Sequence, residues 1–165
     1  MSTSKEIILD LFETTYNSPG WNPTISDVIE GLALEQAIWK PRDHLHNIWD
    51  LLNHLIYWND RWLRRFNGAV PPETQYDDNT ATFSQADFER TEENWVKTIE
   101  RVHEVCKSWI KAITYTNDEK LVSPVSEQLE GKWWNFLTNL NLHNSYHVGQ
   151  IITLRKEQGK WVDTY

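Results

Sequence analysis

Ile48, Leu51, Leu55, Trp58, Trp62 and Phe66 recur at intervals of three and four residues, and so do Trp95, Ile99, Val102, Cys106, Trp109 and Ile113. Only an α-helix turns that spacing into one continuous face, because 3.6 residues complete a turn. A third long stretch, Trp133 to Gln158, places Phe136, Leu140, Ile151 and Leu154 on one side in the same way. Near the N-terminus, residues 5 to 16 gather Ile8, Leu11 and Phe12 on a face flanked by Lys5, Glu6, Asp10 and Glu13. Each such face needs a partner to exclude water, and no segment shows the two-residue alternation of a strand. The chain is therefore expected to be all-α, an antiparallel four-helix bundle forming one domain over residues 1–165.

Breakers and capping residues set the expected boundaries. Asn17-Ser-Pro-Gly20 ends the first helix, and Thr24 to Leu34 reads as a short helix or helical turn before the second. Asp43 is the expected N-cap of the second long helix, and Asn67-Gly68 its terminator. Val70 to Thr82, with Pro71, Pro72 and Asp77-Asp-Asn79, is a loop able to cover one end of the bundle, and Ser84 is the expected cap of the third helix. Asn117-Asp-Glu119 interrupts that helix, Pro124 and Gly131 bracket another loop, and Gly159 follows the fourth helix. Connections of about 15 residues exceed what an up-down bundle needs, which marks the first and third as candidate lids.

Charge and composition exclude several function classes. Sixteen Lys and Arg against twenty-four Asp and Glu give a net charge of −8, and the basic residues are scattered. No face is built to neutralise phosphates, so nucleic acid is not an expected partner. Charges interrupt Met1 to Tyr16, and no later segment is apolar over a membrane-spanning length, so neither a signal peptide nor a membrane helix is expected and the protein reads as cytoplasmic. The single cysteine, Cys106, rules out an intramolecular disulfide or a cysteine-rich zinc module, and its seam position marks an inert thiol. The ten tryptophans read as core filler, with a share left to line a substrate cavity.

Chemistry enters with the histidines. His143 and His147 are four residues apart, so their rings stack one turn apart in the middle of the apolar stripe of the fourth helix. Two buried imidazoles need partners: hydrogen-bonding groups of a core, or one divalent cation such as zinc. His54, beside Leu51 and Trp58 near the midpoint of the second helix, is the third donor that the interior can reach. His46 projects to the polar side and His44 sits at the frayed entrance, both as ordinary surface or capping histidines, and His103 lies at the edge of a seam as a satisfied histidine. Three protein nitrogens leave a coordination position open, the pattern of catalytic metal sites. Asp50 and Gln150, each one turn from a ligand candidate, are expected to accept ring N–H groups, and Gly149 to permit close helix approach.

His143-Asn-Ser-Tyr-His147-Val-Gly149-Gln150-Ile151 resembles the His-x-x-x-His-x-Gly-Gln-Ile signature of the DinB/YfiT-like superfamily. His46-Asn-Ile-Trp-Asp-Leu-Leu-Asn-His54, followed by Trp58, is similar to that family's second-helix motif, and the likeness extends to Leu9–Pro41 and Leu63–Gly68. The resemblance implies a four-helix bundle, often a homodimer. It implies zinc, nickel or another divalent ion, with manganese or iron as alternatives, on residues matching His54, His143 and His147. Characterised relatives transfer or isomerise with low-molecular-weight thiols such as bacillithiol or mycothiol. The function expected from this is thiol S-transfer to a small-molecule electrophile held against aromatic side chains, Trp58 and Trp133 being candidates. A metal-dependent hydrolase remains an alternative, because the same open position could hold a water of lowered pKa, and so does a non-catalytic metal- or small-molecule-binding protein, because no unambiguous general base accompanies the histidines.

Overall fold

The computed structural model describes residues 3–42, 46–71, 79–83, 89–127 and 129–161. Among them are seven α-helices and no strand: α1 Ser4–Tyr16, α2 Ile25–Ile29, α3 Leu34–Ile38, α4 Ile48–Phe66, α5 Glu92–Thr114, α6 Asp118–Val122 and α7 Trp133–Glu157. Asp43, His44, Ser84 and the acidic pair Asp77-Asp78 lie outside the described residues.

Reciprocal caps fix where the helices begin. Asn47 accepts from the backbone N–H of Asp50 while the Asp50 carboxylate accepts from the N–H of Asn47, so α4 starts at Ile48, later than the expected Asp43 cap. Thr3 with Glu6 and Thr24 with Asp27 start α1 and α2 in the same way. Thr91, and not Ser84, caps α5. Asn117-Asp-Glu119 does interrupt the third long helix, but Asn117 then caps the short α6. Helix α7 ends before Gly159, whose φ of 65° lies in the left-handed region that a glycine adopts without strain.

Helices α1, α4, α5 and α7 form the bundle, with α1 and α4 each packed against α5 and α7. Their directions depart from the antiparallel order expected. Trp49 meets Trp95, Asp60 meets Arg101 and Phe66 meets Trp109, so neighbouring α4 and α5 run parallel. Tyr16 meets His103 while Lys5 meets Asp118, and His54 meets His143 while Phe66 meets Trp133, so α1 with α5 and α4 with α7 are antiparallel. The order is up, down, down, up. A 19-residue α4 is about 28 Å long, and residues 67–91 must return over that length before α5 can begin. The return path runs back along α4, with Asn79 beside Trp58, Thr82 beside His54 and Arg90 beside Asp50.

Two apolar clusters fill the bundle. One gathers Trp49, Leu52, Trp95 and Ile151 with the connector residues Val28 and Ala37. The other gathers Phe12, Phe66, Trp109, Leu121 and Trp133. The connector is tied down by Arg155 of α7, whose guanidinium donates to the carbonyls of Asp27, Val28 and Glu30. Lys120 of α6 donates to the carbonyl of Phe66, so the third connection closes the far end of the bundle and is no lid over the histidines. No helix among the described residues is long and apolar enough to cross a membrane.

Candidate metal centre

His54 is buried in the middle of α4, and α7 carries His143 and His147 one turn apart on the side facing it. A buried pair of amides fixes these two helices against each other. Asn59 donates to Asn144 at 2.8 Å, Asn144 returns a bond of 3.2 Å, and Asn59 also donates to the carbonyl of Leu55. Held in that register, His54 Nε2 lies 2.9 Å from His143 Nε2, which lies 3.0 Å from His147 Nε2. The ring planes are inclined to one another by 54° to 85°, so the three imidazoles converge by their edges and do not stack. They are a group able to hold a metal ion.

Hydrogen bonds behind two of the rings decide where their protons sit. Thr82 spends its hydroxyl proton on the carbonyl of Asn79, so it accepts from Nδ1–H of His54 at 2.5 Å. Gln150 donates its amide nitrogen to the Tyr146 hydroxyl and accepts from Nδ1–H of His147 at 2.6 Å. Both rings therefore direct an Nε2 lone pair at His143 Nε2. A single proton there satisfies one of those contacts and leaves the other as two facing lone pairs, whereas one cation between the rings satisfies all three nitrogens. The Nδ1 atom of His143 is buried without a hydrogen-bond partner among the described residues. Truncating either supporting group, Thr82→Ala or Gln150→Ala, is expected to weaken metal affinity about 10–100-fold with the helical content unchanged, read by titration against a competing chelator.

The same crowding keeps the rings neutral. Burial, then the neighbouring histidines, push His54 down to about 3, and burial with His143 pushes His147 down to about 4. Burial also lowers His143. Neutral imidazole is the form that donates to a metal. In the metal-free protein the sign of the pH effect follows. Below the ordinary histidine value of 6.5 the unfolded chain binds protons that the folded chain refuses, so these rings contribute full stability above 6.5 and progressively less down to about 4 and 3. Thermal unfolding of metal-free protein from pH 7.5 to 4.5 should show that decline, reduced in His54→Ala; identical declines in both proteins would contradict it.

Several neighbours differ from expectation. Phe83 stacks on His54 at a centroid distance of 3.9 Å and, on its opposite face, on His46 at 3.9 Å, so His46 is part of a three-ring sandwich beside the site and not a surface histidine. Asp50 spends its carboxylate on the α4 cap and on Arg90 at 2.6 Å, and it holds the start of the helix, not a ring of the trio. Gly149 is exposed, and a Cβ there would meet nothing within 4 Å, so it serves no close approach to another of the described residues. His103 is satisfied by the Tyr16 hydroxyl at 3.0 Å, and burial pushes the Cys106 thiol up to about 12, far from a nucleophile. Trp58 lines a cavity of about 330 Å³ that opens on His143, together with Trp62 and Phe136. Trp133 does not: it is buried in the core, edge-on to Phe66.

Thr82 and Phe83 were not singled out by sequence. Both belong to the returning crossover, where no periodicity announces which side chain will face a helix. The family model described as the DinB superfamily matches residues 23–151, a span that includes His54, His143 and His147. Comparison with curated proteins returns no match, and neither does comparison with solved structures.

Proposed function

The chain belongs to the DinB superfamily, whose members are typically metal-binding, and from that membership we propose that His54, His143 and His147 hold one divalent ion for thiol S-transfer to a small-molecule electrophile. The observation that carries this reading is the meeting of three Nε2 atoms with two lone pairs already aimed inward. Ligands at about 2.0–2.1 Å from one ion stand about 2.8–3.4 Å apart for angles between octahedral and tetrahedral; the His54–His143 and His143–His147 separations of 2.9 and 3.0 Å fall in that range, and the three donor atoms all lie within 4.8 Å of one another. Zinc and nickel suit an all-imidazole set, and manganese or iron are the next candidates.

When bound, the ion supplies Lewis acidity that lowers the pKa of a low-molecular-weight thiol toward neutrality. The chain supplies the rest. Thr82 and Gln150 hold the ring tautomers, Phe83 and His46 cover the α4 side against water, and Trp58, Trp62 and Phe136 form the wall against which an electrophile rests. With Asp50 engaged by Arg90, no carboxylate among the described residues is in hydrogen-bond contact with the three rings, which favours a co-substrate that brings its own nucleophile over a hydrolytic water.

The test assays metal-loaded protein with a generic electrophile and a series of thiols, then with esters and amides alone. Turnover that requires thiol and is lost on chelation is the expected result. Thiol-independent turnover would replace the reading with hydrolysis, and silence in both with the metal in place would leave a binding protein.

We propose in addition that the chain pairs with a second copy across α7. Leu142 and Tyr146 are 62% exposed there, and the exposed Gly149 leaves room for a close approach that none of the described residues uses. Sedimentation should give twice the chain mass, reduced to one by Leu142→Glu; a monomer at all concentrations would overturn this.

A further inference from the structure

The cavity beside His143 carries an inference about what the site accepts, and it rests on the metal-centre reading only for the statement that His143 is a ligand. Its volume of about 330 Å³ suits a small molecule of one or two rings. Its walls are set before any ligand arrives. The Trp58 indole N–H donates to Asn79 Oδ1 at 3.1 Å, which pins that ring. Trp62 packs against Phe136 at 4.8 Å, stands edge-on to Trp133, and carries the Arg65 guanidinium at 5.2 Å from its centroid.

Among the described residues lining the cavity, His143 is the one ionisable group; Asn79, Asn139 and Leu140 complete the lining. In the metal-free protein an anion drawn into this space would lose water and meet no cationic side chain among the described lining residues, Arg65 being held over the Trp62 ring, and the net charge of −8 opposes its approach. Fixed aromatic faces reward a flat π system, and amide groups suit a carbonyl- or nitro-type oxygen. We propose that this cleft selects uncharged aromatic compounds of one or two rings, seated between Trp58, Trp62 and Phe136 with their reactive end toward His143.

The probes are a matched pair, 4-fluoroacetophenone and 4-fluorobenzoate, which differ in charge at nearly constant shape. Fluorine line broadening is measured on the full chain, first metal-free, so that a carboxylate binding to an ion cannot mimic the effect, and then metal-loaded. The ketone should bind in both states, roughly tenfold more tightly than the benzoate in the metal-free state. Trp62→Ala and Phe136→Ala should each weaken the ketone by a similar factor, whereas Trp21→Ala, at a side chain 97% exposed that does not line the cleft, should not. Asn139→Lys, at an exposed position of the mouth, should raise benzoate binding, an effect that loss of folding cannot produce. Equal or tighter binding of the benzoate by the unaltered protein, or ketone binding indifferent to both Trp62→Ala and Phe136→Ala, would overturn the proposal. Metal content is measured on the same samples: a protein that binds the ketone and no metal would sink the metal reading while the cleft stands, and one that binds metal and neither probe would do the reverse.

Discussion

Replacing His143 by Ala should reduce the metal content from about one ion per chain to a trace, while the helical circular dichroism is retained. His143 is the shared apex of the trio, since its Nε2 is the atom within 3.0 Å of both other rings. Its removal leaves His54 and His147 as a pair without the bridging donor. Changing an outer hydrogen-bond partner of a ligand already costs about 10–100-fold in affinity, and loss of the ligand itself should cost more. Because His143 is half-buried and its Nδ1 has no partner among the described residues, the alanine removes no hydrogen bond to them behind the ring, and the effect on folding should be small beside the effect on metal. Elemental analysis after dialysis reads the outcome; unchanged stoichiometry would contradict the assignment.

Loading the protein with its ion should raise its melting temperature substantially. An ion present at about a thousand times its dissociation constant stabilises the folded state by about 4 kcal/mol. For a chain of this size that corresponds to roughly 8–16 °C. The physical source is specific here, because the metal-free centre confronts lone pairs with each other in a buried space and the ion removes that conflict. The shift should disappear on adding chelator and be absent in His54→Ala. A melting temperature indifferent to zinc, nickel, manganese and iron would mean that the three rings are held together for another reason.

How much of this was legible depends on the kind of signal each feature leaves. The long helices were legible because their three-and-four spacing persists over many turns. The trio was legible as a candidate because His54, His143 and His147 each share a face with apolar neighbours. Helix starts were less so: Asp43, Ser84, Asn47 and Thr91 are all capping residue types, and what separates Asn47 is the reciprocal bond to Asp50, which requires both residues to be weighed together. The parallel course of α4 and α5 stayed hidden for a related reason. Even with a cap at Ser84 the connection is long enough to return along α4, and nothing in its residue spacing says whether it turns at one end of the bundle or crosses back. That crossover delivers Thr82 and Phe83 to the site, so missing its path meant missing both residues. Trp58 and Trp133 were each open to a core or a cavity-wall reading, and Trp133 takes the core one: it shares a helix with the histidines but lies nearly three turns before His143, in the opposite core cluster.

The central claim is that three imidazoles, one from α4 and two from α7, surround a single ion, and X-ray absorption of the zinc-loaded protein measures that shell directly. The expected shell is three imidazole nitrogens at about 2.0–2.1 Å together with at least one exchangeable light-atom ligand. A shell with one or two imidazoles, or with a sulfur near 2.3 Å from Cys106, would contradict it.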